Sequence, residues 1–239
     1  MVDNDREFIE MFVKNSIKFS KYGEIRFYPK YYSELILTRQ QQLLLIDYIK
    51  THYKNTITSL TFYNYYIDKI NIESYEFYNF SNIKELDISE YKKIENLKLL
   101  IEKIPTLEVL GIRHCDIDNI DNLFNNSFNN SSKLNKLYLE GNNLICIDGC
   151  LDNLVNLEVL DISYNSQLYI TENTFNNLSM LNKLYLFGYK DDIKDLEKIL
   201  SKCIIKHPSL ISLAYSSHII IDEIPNFRFF NWYDRDLFL

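Results

Sequence analysis

The chain has 239 residues, of which 46% are apolar and 25% are charged, and its formal net charge at pH 7 is −7. The apolar fraction argues for a sizeable folded core and against extended disorder. The negative charge argues against nucleic acid as a partner, because a basic surface is what attracts a polyanion. The small number of Gly residues, five, argues against a Gly-rich phosphate-binding loop.

No targeting or membrane-spanning segment is evident. Five charged residues, from Asp3 to Glu10, interrupt the first twelve positions, where a secretory signal would need an apolar run. No later run approaches the ~18 apolar residues that a membrane helix needs. We therefore expect an intracellular protein, in the cytoplasm, that does not bind membranes.

The first 56 residues mix helical and strand patterns. Apolar residues recur at helical spacing from Phe8 to Ile17, after an acidic entry, and again within residues 39–53. Between them, residues 25–28 have the composition of a strand. The segment is therefore predicted as helix, strand and helix.

A recurrent apolar frame begins at residue 57. Its clearest copy reads L-x-x-L-x-L-x-x-N-x-L and consists of Leu134, Leu137, Leu139, Asn142 and Leu144. Copies start at residues 57, 83, 107, 134, 157, 181 and 210, which gives intervals of 26, 24, 27, 23, 24 and 29 residues. Residues 57 to about 220 thereby resemble the leucine-rich repeat family, whose period is ~20 to 29 residues.

The resemblance implies an α/β fold, a right-handed leucine-rich repeat solenoid with a concave parallel β-sheet, about seven repeats and terminal caps. On each strand, positions four and six of the frame should point to the core, and positions three, five and seven to the other face. At position nine, the amides of Asn142 and Asn165 should bond backbone groups of successive coils. A thiol or a Tyr does so less completely, so the terminal coils should be less regular.

The return segments between strands have their own patterns. Residues 97–104 and 193–204 carry apolar residues at helical spacing, and Pro105 should end the first of these helices. Residues 125–132 are polar and rich in Asn, which predicts a looped insertion.

The ends of a repeat stack need caps, because the outermost coil cannot bury its own apolar face. Residues 1–56 are predicted as the first cap, residues 57–220 as the repeats, and the aromatic residues 221–239 as the second cap. The alternative is that residues 1–56 form a separate adaptor, such as the F-box of some leucine-rich repeat proteins. The Leu-Pro opening of an F-box is not found.

No catalytic or metal-binding constellation is recognised, so we predict neither an enzyme nor a cofactor. The four His residues lie in different segments, and HExxH, GxSxG and P-loop motifs are missing from the sequence. His114 and Cys115 are adjacent, but neighbouring strand residues point to opposite faces. The four Cys residues have no CxxC spacing and are expected to be reduced, packed thiols.

The exposed sheet face is the candidate site. Position five places Tyr138, Asp161 and Tyr185 in one column, and large aromatic residues with Arg are typical of binding hot spots. Carboxylates such as Asp87 and Glu140 are expected to be solvated on this face. The predicted function is non-catalytic binding of a protein partner by Arg113, Tyr138, Glu140, Asp161, Tyr164, Tyr185 and Phe187.

Overall fold

The computed structural model divides into two units, Met1–Cys115 and Asp116–Leu239. The described residues are 56–63, 69–71, 82–91, 93–121, 123–124 and 133–188, the strands at 17–19, 24–27 and 212–215, and parts of 7–11 and 44–53. The predicted helix at 193–204, the insertion at 125–132 and the cap at 221–239 lie outside them.

The described residues of the first unit form five strands of a main sheet and a small second sheet. Its strands are β1 (Ile17–Phe19), β2 (Glu24–Phe27), β3 (Ser59–Tyr63), β4 (Lys69–Asn71), β5 (Glu85–Ser89), β6 (Lys93–Glu95) and β7 (Val109–Gly111). The main sheet has the order β1-β2-β3-β5-β7, in which all pairs except the antiparallel pair β1–β2 are parallel. Strands β4 and β6 pair in parallel as the second sheet.

Where the structure describes the first 56 residues, they follow the prediction with one correction. The described parts of both predicted helices are helical, and β2 matches the predicted strand. Ile17, however, was predicted at the end of a helix and lies in β1, opposite Phe27. Pairing with a neighbouring strand overrides a helical pattern at the end of a segment.

The predicted return helix of the first unit is confirmed as α1, Leu97–Glu102. Leu97, Ile101 and Ile104 are buried, as the apolar stripe requires. The helix ends in a turn before Pro105, whose ring prevents its continuation.

The described residues of the second unit form four parallel strands. They are β8 (Lys136–Tyr138), β9 (Val159–Asp161), β10 (Lys183–Leu186) and β11 (Ser212–Tyr215), in that spatial order. In both units, every strand that falls in a predicted frame of the main sheet begins at its third position. The count of seven complete repeats stays a prediction.

The core follows positions four and six of the frame, as predicted. Each of these side chains is at most 2% exposed, and burying one Leu or Ile is worth ~1.5–3 kcal/mol. They are Leu60, Leu86, Ile88, Leu110 and Ile112 in the first unit, and Leu137, Leu139, Leu160, Ile162, Leu184 and Leu186 in the second.

The asparagines at position nine connect successive coils of the second unit, which confirms their predicted role. The Asn165 amide accepts a hydrogen bond from the Leu144 N–H (3.1 Å). It donates to the Leu139 carbonyl of the preceding coil (3.0 Å) and to the Ile162 carbonyl of its own coil (3.0 Å). Asn142 likewise accepts from the Ile117 N–H (3.3 Å). Backbone groups at the buried turn are thereby satisfied.

Candidate functional site

The predicted column on the sheet face of the second unit is confirmed by the strand register. Tyr138 lies opposite Asp161, and Asp161 lies opposite Tyr185. Neighbouring strands are ~4.8 Å apart, so the two Tyr side chains flank the carboxylate on the same face. Tyr138 and Tyr185 are half-buried, and each keeps part of its surface accessible.

The carboxylates of this face are not solvated, which corrects the prediction. Asp161 is only 3% exposed and Glu140 only 6%. Asp161 Oδ1 accepts a hydrogen bond from the Ser163 N–H (3.0 Å). Asp161 therefore fixes the backbone at Ser163 and does not itself offer a charge on the surface of the sheet.

Ser163 connects this carboxylate to the next strand. Its side chain is fully buried, and its Oγ accepts a hydrogen bond from the Phe187 N–H (3.1 Å). Phe187 is buried, and its ring stacks on Tyr185 with centroids 6.5 Å apart and an interplanar angle of 29°. The ring of Tyr185 thus packs on Phe187, whose own backbone is held by Ser163.

Tyr164 is held in a conformation that a bulky residue rarely adopts. Its φ is +57°, in the left-handed region, and its N–H donates to the Phe187 carbonyl (2.6 Å). An added Cβ at Gly188 would lie 2.7 Å from Tyr164 Cδ1, so the aromatic ring occupies the space above this glycine. The ring is exposed at the end of the strands.

Position eight, which Tyr164 occupies, is left-handed in every described coil of the frame. Gly141 and Gly188 hold the equivalent positions in the second unit, with φ of +66° and +72°. Glu90 and His114 hold them in the first unit. Sequence reasoning missed this turn, although the repeated Gly at position eight was a signal for it.

Arg113 belongs to the first unit, where its guanidinium forms an ion pair with Asp87. Asp87 also accepts a hydrogen bond from Ser89, so this carboxylate too is engaged and only partly solvated, contrary to the prediction. A Cβ at Gly111 would lie 2.6 Å from Arg113 Nη1 and 2.8 Å from Asp87 Cγ. Gly111 therefore makes room for the ion pair.

Two lysines on the sheet face were not predicted as site residues. Lys136 and Lys183 occupy position three, on the same face as positions five and seven. Lys136 is exposed and Lys183 half-buried. The aromatic column thus has positive charge at the edge where the strands begin. The recurrence of Lys at position three was the signal available in the sequence.

The His114 and Cys115 pair has the predicted arrangement, with His114 exposed and Cys115 buried. Cys146, by contrast, is exposed, so the prediction of a packed thiol is wrong for it; this residue lies outside the apolar frame and forms a bridge with Tyr169. Cys150 is half-buried and its Sγ donates to Asp121 Oδ1 (3.0 Å). Burial is the largest cause that raises the pKa of Cys150, to about 12, and this hydrogen bond is the next largest.

Neither a metal-binding group nor a membrane-spanning helix is present in the described part of the chain. Among the side chains that the structure describes, no three His, Cys, Asp or Glu groups are placed to hold a metal ion. Within the same part of the chain, no helix has the length and apolar character needed to cross a membrane.

Comparisons with known proteins identify the fold. The crystal structure of the TLR13–ssRNA13 complex has a TM-score of 0.52 at 17% identity, over 71% of this chain and 27% of that chain. The APL1 leucine-rich repeat domain has a TM-score of 0.50 at 21% identity, over 66% of this chain and 39% of that chain. No family model and no curated protein sequence matches. The predicted resemblance is thus confirmed at the level of structure, and the chain has the leucine-rich repeat fold.

Proposed function

We propose that this protein is a non-catalytic interaction module whose concave sheet face binds a protein partner. The observation that carries the proposal is the in-register column of Tyr138, Asp161 and Tyr185 on the second unit. Tyr138, Tyr164 and Tyr185 provide the contact surface, because each combines an accessible ring with a fixed backbone. Large aromatic side chains on a rigid support lose little entropy on association.

The other candidate residues support this surface. Asp161 and Glu140 are buried, Asp161 accepts a hydrogen bond from the Ser163 N–H, and the ring of Phe187 stacks on that of Tyr185. Arg113 lies in the first unit, where it forms an ion pair with Asp87, and we propose it as a contact residue of that unit's own sheet face. Truncation of a supporting residue should weaken binding by displacing the contact residues.

A protein partner is favoured over nucleic acid by charge. TLR13 is bound to single-stranded RNA in the structure that this chain resembles, but that similarity concerns the fold alone. Here the net charge is −7, which opposes a polyanion. The described part of the second unit has nine carboxylates and three lysines. A polyanion would need several positive contacts close together.

The adaptor alternative places the functional contact in residues 1–56. Strand β2 of this segment pairs in parallel with β3 over Glu24–Phe27, so its backbone covers an edge of the sheet that would otherwise be open. This pairing supports a capping role for the segment. A module that recruits other machinery would have to do so with residues that the cap leaves accessible.

Affinity purification from the native host, followed by calorimetry with the isolated partner, tests the proposal. Tyr185→Ala and Tyr138→Ala should each weaken binding by ~2 kcal/mol or more, as expected for hot-spot residues. Met180→Ala is the matched control, because Met180 is 51% exposed and lies outside the strands. Unchanged affinity for both Tyr variants, beside a large loss on changing residues 1–56, would favour the adaptor.

A further inference from the structure

A second surface of the second unit lies on the turns that follow the strands. It consists of Asp118, Ile145 and Tyr169, which occupy equivalent places in three successive coils once the late Leu168 is allowed for. We call these three residues the lateral strip. The Asn143 N–H donates to the Ile117 carbonyl (2.8 Å) and the Tyr169 N–H to the Ile145 carbonyl (2.8 Å), so the backbone segments that carry these three residues lie side by side in successive coils.

Two side chains of the lateral strip are more exposed than the aromatic side chains of the sheet face. Tyr169 is 61% exposed and Ile145 is 55% exposed, whereas Tyr164 on the sheet face is 38% exposed. The two side chains belong to adjacent coils, and exposed Cys146 forms a parallel bridge with Tyr169. Single exposed apolar residues are ordinary on a protein surface, but a contiguous group marks a contact surface.

Charge in this unit is sorted along each coil. The described lysines, Lys133, Lys136 and Lys183, all lie at or just before the start of a strand. Most carboxylates follow the strands instead, whereas Glu158 precedes β9 and Asp161 lies within it. On the turn side the carboxylates are Asp116, Asp118, Asp121, Asp148, Asp152 and Glu172.

Some of these carboxylates are occupied by internal hydrogen bonds. Asp148 accepts from the hydroxyls of Thr171 (2.7 Å) and Thr174, and Asp121 accepts from Asn119 (2.9 Å) and Cys150. Asp118, within the strip, and Glu172, three residues beyond Tyr169, are exposed to solvent. The two apolar residues of the lateral strip, Ile145 and Tyr169, are therefore bordered by negative charge. Among the described residues, no cation lies on this side of the coils.

We propose that the lateral strip binds a basic, apolar segment of a partner protein. An aliphatic side chain of that segment packs between Ile145 and Tyr169, and an adjacent Lys or Arg reaches Asp118. The ring of Tyr169 favours a cation as well, because its π face is negative. The occupant is defined by charge complementarity: an anionic membrane or nucleic acid would be repelled by the same carboxylates.

Synthetic peptides test this surface without a known partner. The probe is a short peptide of alternating leucine and lysine, and its binding to the full chain is measured by fluorescence anisotropy at about 0.15 M salt, where weak long-range attraction is screened. Two peptides serve as controls, one with serine in place of leucine and one with glutamate in place of lysine. The first probe should bind at least about tenfold more tightly than either control.

Variants locate the binding site. The double variant Ile145→Ser, Tyr169→Ser should weaken the leucine-lysine peptide about tenfold, and Met180→Ser should leave its affinity within about twofold. The bound peptide should also slow alkylation of Cys146 by iodoacetamide, read by mass spectrometry of the fragment that contains it. This readout uses the unaltered chain.

Four results would overturn the proposal. Equal binding of the lysine-serine peptide would mean charge attraction alone, and equal binding of the glutamate-leucine peptide would mean apolar contact alone. An unaffected Cys146, or an equal loss from Met180→Ser, would place the peptide elsewhere. Self-association in sedimentation velocity that Tyr169→Ser abolishes would assign the strip to a second copy of the chain.

Discussion

The two units fill the same position of the repeat with different chemistry. At position nine the second unit has Asn142 and Asn165, whereas the first unit has Cys115 in the coil that starts at residue 107. The Cys115 thiol donates to the carbonyls of Ile88 (3.3 Å) and Arg113 (3.2 Å). These carbonyls correspond to those that the Asn165 amide binds at Leu139 and Ser163.

The two side chains differ in how many hydrogen bonds they can form. A thiol has a single, weak donor proton to share between two carbonyls, while an amide has two protons and an acceptor oxygen. Asn165 uses that oxygen for the buried N–H of Leu144. In these two coils the residue at position nine donates toward the previous coil, and Asn adds a bond that a thiol makes only weakly.

The largest expected effect concerns what the two units share. Leu137→Ala in the second unit and Leu110→Ala in the first should each lower the free energy of unfolding by ~2–5 kcal/mol, since both side chains are fully buried at position four. Lys136→Ala, one residue from Leu137 and exposed, should change it by less than ~0.5 kcal/mol. Urea denaturation measures all three. A loss well under 1 kcal/mol for Leu137→Ala would show that the assigned register is wrong.

A smaller loss of unfolding free energy should differ between the two units. Asn165→Ala leaves the Leu144 N–H and several carbonyls without their amide partner, so we expect a loss of ~2–3 kcal/mol in unfolding free energy. Cys115→Ala removes one weak donor and a small buried group, and should cost ~1 kcal/mol. Equal losses in urea denaturation would mean that the position acts through packing alone and that the amide adds nothing.

The parts of the fold that depend on periodicity could be predicted from sequence. The period-two alternation predicted the core-facing residues of β8, β9 and β10, because alternate residues of a strand point to opposite faces. In β9 the residues of the other face, Val159 and Asp161, are buried as well. The alternation also predicted the column of Tyr138, Asp161 and Tyr185. Register follows from hydrophobic pattern wherever one face is buried.

The environment of the polar residues could not be predicted in the same way. Glu140 and Asp161 were placed on the correct face, but their burial depends on the sizes and rotamers of neighbours on other strands. The exposure of Ile145 and Tyr169 was missed for a related reason, since these residues follow the apolar frame and carry no periodic signal. Frame position determines direction, and packing determines accessibility.

The smallest expected effect concerns pH and a thiol with a different partner. Cys115 donates to backbone carbonyls, whereas Cys150 donates to the carboxylate of Asp121. Burial and this acceptor raise the pKa of Cys150 to about 12, and the bond lowers the pKa of Asp121. An unfolded thiol ionises near pH ~8.5, so between about 8.5 and about 12 the folded state keeps a proton that the unfolded state loses.

The free energy of unfolding must therefore fall as pH rises through that window, because the folded state binds more protons. Cys150→Ser should remove this alkaline slope, since a hydroxyl does not ionise in that range. The Ser hydroxyl should still donate to Asp121. The stability that is lost at acid pH, when the Asp121 carboxylate is protonated, should therefore be the same in both proteins. The slope is small because Cys150 is partly exposed. Urea denaturation at pH 8 and pH 10 compares the two proteins. An unchanged slope in Cys150→Ser would assign the alkaline loss to other groups, and rapid alkylation of Cys150 at pH 8 would contradict its raised pKa directly.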